Sequence, residues 1–391
     1  MDLYIIRDGI FTSKDNKAAS NLLHYDVFGK RYLDVFQQVN LVGRKFEKED
    51  PTALPVEGKG VNFISLPGRN GILGFIKSIV NIISIALKTT KKGNSYILRI
   101  PGTIPSIYYF ILKFKKIPFS VEVCADPLDS YSKKSLDGHI LSKPVQAFFV
   151  WMVKLQCKNA NASVYVTEFA LQKRYPPGVP ENSFSFTSID LNNFRSEPRT
   201  AESFNIEQPL VSLIGNMQGS MKGHDVLINA IKMLKDEGII VNLEVIGYGN
   251  NQTMFENLCV ECGVEKQVKF LGKVTSGNAV LDLISKADLF VLPSRQEGLP
   301  RALLEAMTQG LPAIGTRVGG TPELLPESVI VEPDDSIALA LKMKELLQNP
   351  KLLAQLSEIN LNKSKEYSAE TIREKRNSFL RKLKSISNTG N

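Results

Sequence analysis

A chain of 391 residues exceeds what one hydrophobic core usually serves, so two domains are expected. Its 43% apolar and 23% charged residues are ordinary for a soluble globular protein, and no apolar run reaches the roughly 18 residues of a spanning helix. Residues 1–200 hold 27 Lys+Arg against 17 Asp+Glu, whereas residues 201–391 hold 21 against 23, so the positive excess is confined to the first half. A basic surface suits nucleic acid, anionic lipid or a phosphorylated substrate. No nucleic-acid-binding motif accompanies it, so lipid is the expected partner and nucleic acid is not. The start MDLYIIRDG lacks the basic, apolar and small-residue regions of a signal peptide, and a cytoplasmic protein is expected. Four cysteines make no disulfide framework in a chain this size. Cys259 and Cys262 fall late in an expected helix, where packing is preferred over zinc or redox work. His24, His139 and His224 stand in no metal-ligand spacing, and no structural metal is expected.

In chain order, residues 3–7 read as a first strand and RDGIFTSKDN as a loop. Residues 25–36 read as a helix, 39–44 as a strand, 45–59 as a charged loop and 61–66 as a strand. Residues 72–87 form a long apolar helix on which Lys77, Asn81, Ser84 and Lys88 make one polar stripe. Strands at 96–100, 118–124 and 163–167 then alternate with helices at 106–115 and 143–158. That alternation predicts a parallel sheet covered on both faces. The polar, aperiodic stretch 187–208 reads as an interdomain linker. A second series begins at residue 210, with strands at 242–246, 268–271, 289–292, 313–315 and 329–331. Helices at 225–237, 253–262, 278–286 and 302–308 separate them. Helices at 335–348, 351–365 and 369–383 close the chain.

The most telling stretch is 291–325, VLPSRQEGLPRALLEAMTQGLPAIGTRVGGTPELL. A buried strand opens through Pro293-Ser294 into a loop, Pro300 suits a first helical turn, and Gly310 ends the helix. Glu297 then stands at a strand's carboxyl end, where ligands bind in open α/β sheets, and Glu305 lies two turns into the helix. That helix's first N–H groups favour a phosphate.

Glu297 and Glu305, with the flanking PS, EGLP, LLEAM, GLP and GGTPE, closely resemble the signature of glycosyltransferase family 4. The resemblance implies an α/β protein of GT-B fold, two facing Rossmann-like domains with a C-terminal helix crossing back to the first. It implies an acceptor domain over 1–200, a nucleotide-sugar domain over 201–365 and the returning helix over 366–391. The activity implied is retaining transfer of a hexosyl unit from a nucleoside diphosphate sugar; no cofactor is expected, nor a metal, since the chain has no Asp-x-Asp triplet. The Lys-Gly of LVSLIGNMQGSMKG matches at Lys222, but Asn216 stands where the family has an arginine, and Asn brings no charge. Gly215 precedes it, and Gly247 opens a G-x-G that reads equally as a tight turn. TSIDLNNF keeps Asp190 and Phe194 of another family segment. By this resemblance Glu305 takes the ribose hydroxyls and Glu297 orients the sugar. Lys222 and the helix start at Gly298 and Leu299 hold the diphosphate.

The first half fits the family less closely, its acceptor-side loop being reduced to Asp8-Gly9. Asp126, in ADPLDSY, stands where a catalytic histidine is common, and a capping role fits it equally. The expected partners are the nucleotide-sugar donor, a lipid-linked saccharide acceptor and an anionic membrane surface. The expected setting is the inner face of the cell membrane, in capsule or O-antigen type synthesis. A catalytically silent scaffold or sugar-binding subunit of a polysaccharide assembly complex is the alternative.

Overall fold

Apolar runs of four to seven residues between helical stretches become the strands of two separate sheets. The computed structural model describes residues 1–21, 23–68, 71–132, 141–187, 189, 191–274 and 277–389. Asp190 and His139 lie outside them. Two compact units result, one made of Met1–Phe186 with Arg373–Asn391, the other of Thr187–Ile372.

The first unit's sheet contains β1 (Leu3–Lys14), β2 (Lys17–Ser20), β3 (Val39–Glu49), β4 (Leu54–Pro55), β5 (Val61–Pro67), β6 (Ser95–Ile100), β7 (Ser120–Val123), β8 (Ala162–Tyr165) and β9 (Ser183–Ser185). Its order is β4-β2-β1-β6-β7-β8-β9, with β3 on β1 and β5 on β3. Leu3–Ile6 therefore pairs in parallel with β3 on one side and β6 on the other.

Three expectations fail here for local reasons. The stretch RDGIFTSK extends β1 to Lys14, because Asp15 and Asn16 adopt positive φ (48° and 62°) and turn the chain into a hairpin with β2. Within 25–36 only the 3₁₀ turn Gly29–Tyr32 forms, and a side chain at Gly29 would meet Val61 at 2.9 Å. The expected loop 45–59 begins as strand, since β3 runs on to Glu49 with its last side chains exposed.

One face of this sheet is covered by the helices Gly71–Thr89, Thr103–Phe114 and Ser142–Asn159, which bury Ile82, Ala86, Tyr108, Leu112, Met152, Val153 and Cys157. On the other face Leu3, Ile5, Val39 and Val164 pack with Phe379, Leu380 and Leu383 of the last helix, Ala369–Thr389. That helix is held to the same unit by Arg373 Nε to Asp34 Oδ2 (2.7 Å) and Ser95 Oγ to Ser387 Oγ (2.8 Å).

The second unit's sheet contains β10 (Leu210–Ile214), β11 (Asn242–Ile246), β12 (Val268–Gly272), β13 (Leu289–Leu292), β14 (Ala313–Thr316) and β15 (Ile330–Val331), in the order β12-β11-β10-β13-β14-β15. All its pairings are parallel. The chain winds outward from β10 in one direction and returns to β13 for the other, so the strand order reverses between β10 and β13. A crevice opens at the carboxyl ends of two such strands, because their following loops diverge.

The segment read as a linker is instead part of this unit. Arg199 is buried and donates to the carbonyls of Ala287 (2.5 Å), Ser285 (2.7 Å) and Gln309 (3.3 Å). Burial pushes its guanidinium down to about 10. Asp288 accepts from the N–H groups of Asn205 and Leu210, both at 2.8 Å. Polar composition concealed this, because the bonds are made to backbone rather than to an apolar surface. Arg199→Ala should destabilise the second unit by about 2–4 kcal/mol, since buried acceptors lose their donor. Urea denaturation followed by far-ultraviolet circular dichroism measures this, and a loss below about 1 kcal/mol would contradict it.

Candidate active site

Glu297 stands in the loop between β13 and the helix Arg301–Thr308, with its side chain 7% exposed. Its Oε1 accepts from Lys222 Nζ at 2.6 Å and from Ser294 Oγ at 2.7 Å. Lys222 arrives from the loop after β10, so the two strands flanking the reversal each supply one partner. A carboxylate this buried requires such a cation, since leaving it unpaired costs several kcal/mol.

The backbone around the pair is pressed close. A side chain at Gly319 (φ 50°) would meet the Glu297 carbonyl at 2.0 Å, and the Gly320 N–H donates to the Gly298 carbonyl at 2.6 Å. Gly247 (φ 153°) lies so near that a side chain would reach the Gly215 carbonyl at 1.9 Å. Gly215, Gly247, Gly298 and Leu299 thus line the loops that surround Lys222 and Glu297. Asn216 is exposed beside them.

Pro300 is the N-cap rather than the first helical residue, with ψ 107°, and no side chain caps the helix Arg301–Thr308. The first N–H groups of this helix, next to Glu297 in sequence, are left to solvent or a ligand. Glu305 is half-buried on the same helix and accepts from Arg301 Nε at 2.9 Å. That pair joins residues one turn apart, and Arg301 is exposed, so it adds little to stability.

Three contributors escaped the sequence reading. Ser294 completes the bonds to Glu297. Arg295 pairs with Asp225 (2.7 and 2.9 Å) and Asp334 (2.5 Å) and receives no spare role as a cation, its charge being matched. Its own N–H donates to the Met221 carbonyl at 2.8 Å, which bolts the β13 loop to the β10 loop. His224, directly after Lys222-Gly223, is buried and stacks on Phe255 at 4.8 Å. Burial lowers the imidazole to about 4, so it is neutral. Tandem Arg and Ser in a loop, or His at a helix start, carry no spacing signal from which these contacts could be read.

Asp126, in the first unit, has a different character from Glu297. Its side chain caps the helix Pro127–Ser130 by accepting from the Leu128 N–H at 2.9 Å. Tyr175 Oη donates to it at 2.6 Å, and Arg174 forms an ion pair with it. Both carboxylate oxygens are engaged, so the capping geometry is the one realised. Neighbouring Asp129 is raised to about 6 by burial and then by the Asp126 charge. Among the described residues no group of three or more His, Cys, Asp or Glu is arranged to hold a metal.

Residues 195–363 match the family profile described as glycosyl transferases group 1. The match spans less than half of the chain, and with the relatives named below it identifies the chain as a glycosyltransferase. Its architecture is that of the GT-B fold. Sucrose-phosphate synthase from Thermosynechococcus elongatus superposes with a TM-score of 0.72 over 98% of this chain and 99% of that one, at 16% identity. Anabaena Alr3699/HepE, crystallised with UDP-glucose, gives 0.65 over 98% and 100%, also at 16% identity. Among relatives, Staphylococcus aureus protein CapJ is 28% identical over 96% of this chain and 93% of its own. The amylovoran biosynthesis glycosyltransferase AmsK of Erwinia amylovora is 30% identical over 44% of each.

The neutral, buried state of His224 predicts an acid weakness. The unfolded ring takes its proton near the ordinary value of 6.5, while the folded ring resists until about 4. The stabilising contribution is therefore complete above about pH 6.5 and is lost progressively as pH falls to about 4. His224→Phe should flatten the wild-type decline in unfolding free energy across that interval. Equal slopes in the two proteins would refute it.

Proposed function

We propose that this chain is a retaining transferase that moves a hexosyl unit from a nucleoside diphosphate sugar to a saccharide acceptor. The observation that carries this reading is the buried Lys222–Glu297 pair at the carboxyl ends of β10 and β13. In the donor complex the sugar hydroxyls bond to Glu297 and the diphosphate draws on Lys222, whose stem is part-exposed. The bond from the anomeric carbon to the diphosphate oxygen breaks, and a bond to the acceptor hydroxyl oxygen forms on the same face. The hydroxyl proton passes to the departing diphosphate. Lys222 and the uncapped N–H groups of Arg301–Thr308 stabilise the charge that grows there. Glu305 accepts from the ribose hydroxyls, for which it exchanges its bond to exposed Arg301. Asn216 contributes a neutral hydrogen bond beside the diphosphate. Asp126, with both oxygens committed, holds the loop after β7 in place and acts as a positioning residue. This chemistry draws on no metal. The complex of HepE with UDP-glucose supports a nucleotide-sugar donor, and the likeness to AmsK, an amylovoran biosynthesis glycosyltransferase, supports a role in polysaccharide synthesis.

The acceptor is carried by a lipid, and the protein works at the inner face of the membrane. The outer faces of the three helices on one side of the first unit support this. On Gly71–Thr89 the apolar Ile76, Val80, Ile83 and Leu87 recur at helical spacing and are exposed, Val80 by 73%. Phe110 and Phe114 on the next helix and Phe148 and Trp151 on the third extend the patch, with Phe114 87% exposed. The helix ends adjoin, because Lys115 Nζ donates to the Leu87 carbonyl and Lys113 Nζ to Asn159 Oδ1. Exposed Lys88, Lys91, Lys92, Lys116, Lys154 and Lys158 rim the same region. Contiguous apolar side chains rimmed by lysine match an anionic bilayer, where aromatic and aliphatic groups enter the interface and ammonium groups stay with the headgroups. No helix among the described residues is long and apolar enough to cross a membrane.

Lys222→Ala should reduce turnover by about 100-fold or more while leaving donor affinity within a few fold, since the charge it meets grows in the transition state. Unchanged turnover in steady-state assays would remove Lys222 from the mechanism. For the membrane reading, sedimentation with phosphatidylglycerol vesicles should show binding that weakens with salt but does not vanish. Val80→Glu with Phe114→Glu should abolish the salt-resistant part, and Lys88, Lys91 and Lys92→Glu the salt-sensitive part. Absence of vesicle binding at low salt would refute it.

A further inference from the structure

The first unit's sheet has its own reversal of strand order, between β1 and β6. From β1 the chain winds outward through β3 and β5, then returns to β6 and continues through β7, β8 and β9. The last residues that β1 and β6 pair with each other are Ile6 and Leu98, and Arg7 and Arg99 follow directly after that pairing ends. By strand alternation both lie on the face of Leu3, Ile5 and Ile97. Glu122 is the neighbour of Arg99 in register on β7.

Arg7 and Arg99 have one carboxylate, Glu122, between them. Arg99 Nη2 meets Glu122 Oε1 at 3.1 Å, with both side chains 10% exposed, and lies 3.3 Å from Cys124 Sγ. Burial raises the Cys124 thiol, which stays protonated and supplies no charge. Three guanidinium groups surround the Phe28 ring, Arg99 at 5.0 Å, Arg31 at 5.6 Å and Arg7 at 5.7 Å from its centre. Arg7 has no carboxylate partner among the described residues, and its buried Nε makes no hydrogen bond. Adjacent Asp8 is not its counterion, for it accepts from the N–H groups of Thr103 and Ile104 and lies 3.4 Å from Arg44. Burial, and then Arg99, lower the Arg7 guanidinium to about 10. A desolvated cation beside other cations persists where a ligand supplies the missing negative charge.

We propose that Arg7, with Arg99 behind it, binds a phosphate-type oxyanion of the acceptor where the pairing of β1 with β6 ends. This rests on the reading of the chain as a transferase to a lipid-linked saccharide, and it names the acceptor group recognised. A guanidinium presents two parallel N–H donors to a phosphate, which an ammonium cannot. Phe28 holds the surrounding charges in place by its face, so the site is ordered before the ligand arrives.

The test uses the full chain and inorganic phosphate, read by thermal unfolding, in wild type, Arg7→Gln and Lys222→Ala. In phosphate-free buffer Arg7→Gln should unfold at a higher temperature than wild type, since it removes an unmatched charge. Phosphate should then raise the unfolding temperature of wild type and Lys222→Ala but not of Arg7→Gln. Arg7→Lys, which keeps charge without the fork, should show a reduced shift and serves if the Gln variant fails to fold. In transfer assays Arg7→Gln should raise KM about 10-fold or more for a prenyl-diphosphate-linked saccharide, with kcat little changed. It should leave KM unaltered for the same saccharide without phosphate. A phosphate shift that survives in Arg7→Gln but is lost in Lys222→Ala would overturn the proposal while leaving the donor reading standing. Absence of both donor hydrolysis and transfer in wild type would instead overturn the reading on which it rests.

Discussion

A carboxylate held out of water needs a cation beside it, and the loops of the second unit are arranged around that need at Glu297. The cation comes from the far side of the strand reversal, on Lys222, so two loops that could diverge are tied at one point. Arg295 strengthens the tie by joining the β13 loop to Asp225 at the start of the helix His224–Asp236. The close approach of Gly319 to the Glu297 carbonyl, and of Gly247 to Gly215, then follows, because three loops share the space that one would ordinarily fill. A buried ion pair adds little net stability, its attraction being offset by desolvation. What it supplies is a preformed pair of opposite charges, ready to exchange one partner for another. In the function proposed above, a diphosphate is the competitor for Lys222 and sugar hydroxyls are the competitors for the carboxylate.

This part of the molecule was legible in the sequence because its constraints are local. The apolar strand, the Pro-Ser loop, Glu297, Pro300 and the Gly310 stop stand close together in the chain, and each has a single backbone consequence. The strands at 242–246 and 289–292 are found where the apolar runs stand. What the sequence concealed depends on distance. Arg199 looks like linker polarity, yet its partners are carbonyls far along the chain, at Ser285, Ala287 and Gln309. The hairpin at Asp15 and Asn16 was hidden by its polar residues, which signal a loop without fixing its length. The helix expected over 25–36 is reduced to one 3₁₀ turn, and Gly29 packs against Val61, a contact no local pattern announces.

Apolar periodicity also hides whether a stripe faces inward or outward. Among the described side chains of Gly71–Thr89, Ser78, Ile82 and Ala86 are buried, whereas Ile76, Val80, Ile83 and Leu87 are exposed. The sequence shows one polar stripe on an apolar cylinder, and a helix lying on a sheet can bury only part of such a cylinder. The surplus apolar face is too large to be explained by the sheet it covers. In a protein selected for solubility alone, polar residues would occupy those positions at no cost to the core.

The same reasoning applies inside the first unit, where the interior charges are unequal. In the second unit, Glu297 is matched by Lys222, Arg295 by Asp225 and Asp334, and Arg199 by carbonyl oxygens. Each of these buried charges has a partner within the chain. In the first unit Asp126 is likewise satisfied, but beside Phe28 the guanidinium groups of Arg7 and Arg99 have the one carboxylate of Glu122 between them. A chain able to satisfy those other buried ions has the means to satisfy this one, and an apolar side chain of similar length in place of Arg7 would fold more easily. On the proposal made above, a negative group that arrives with the acceptor meets this excess. The first half's net positive charge then has two sources of different kinds: exposed lysines around the outer helices, and arginines gathered at Phe28.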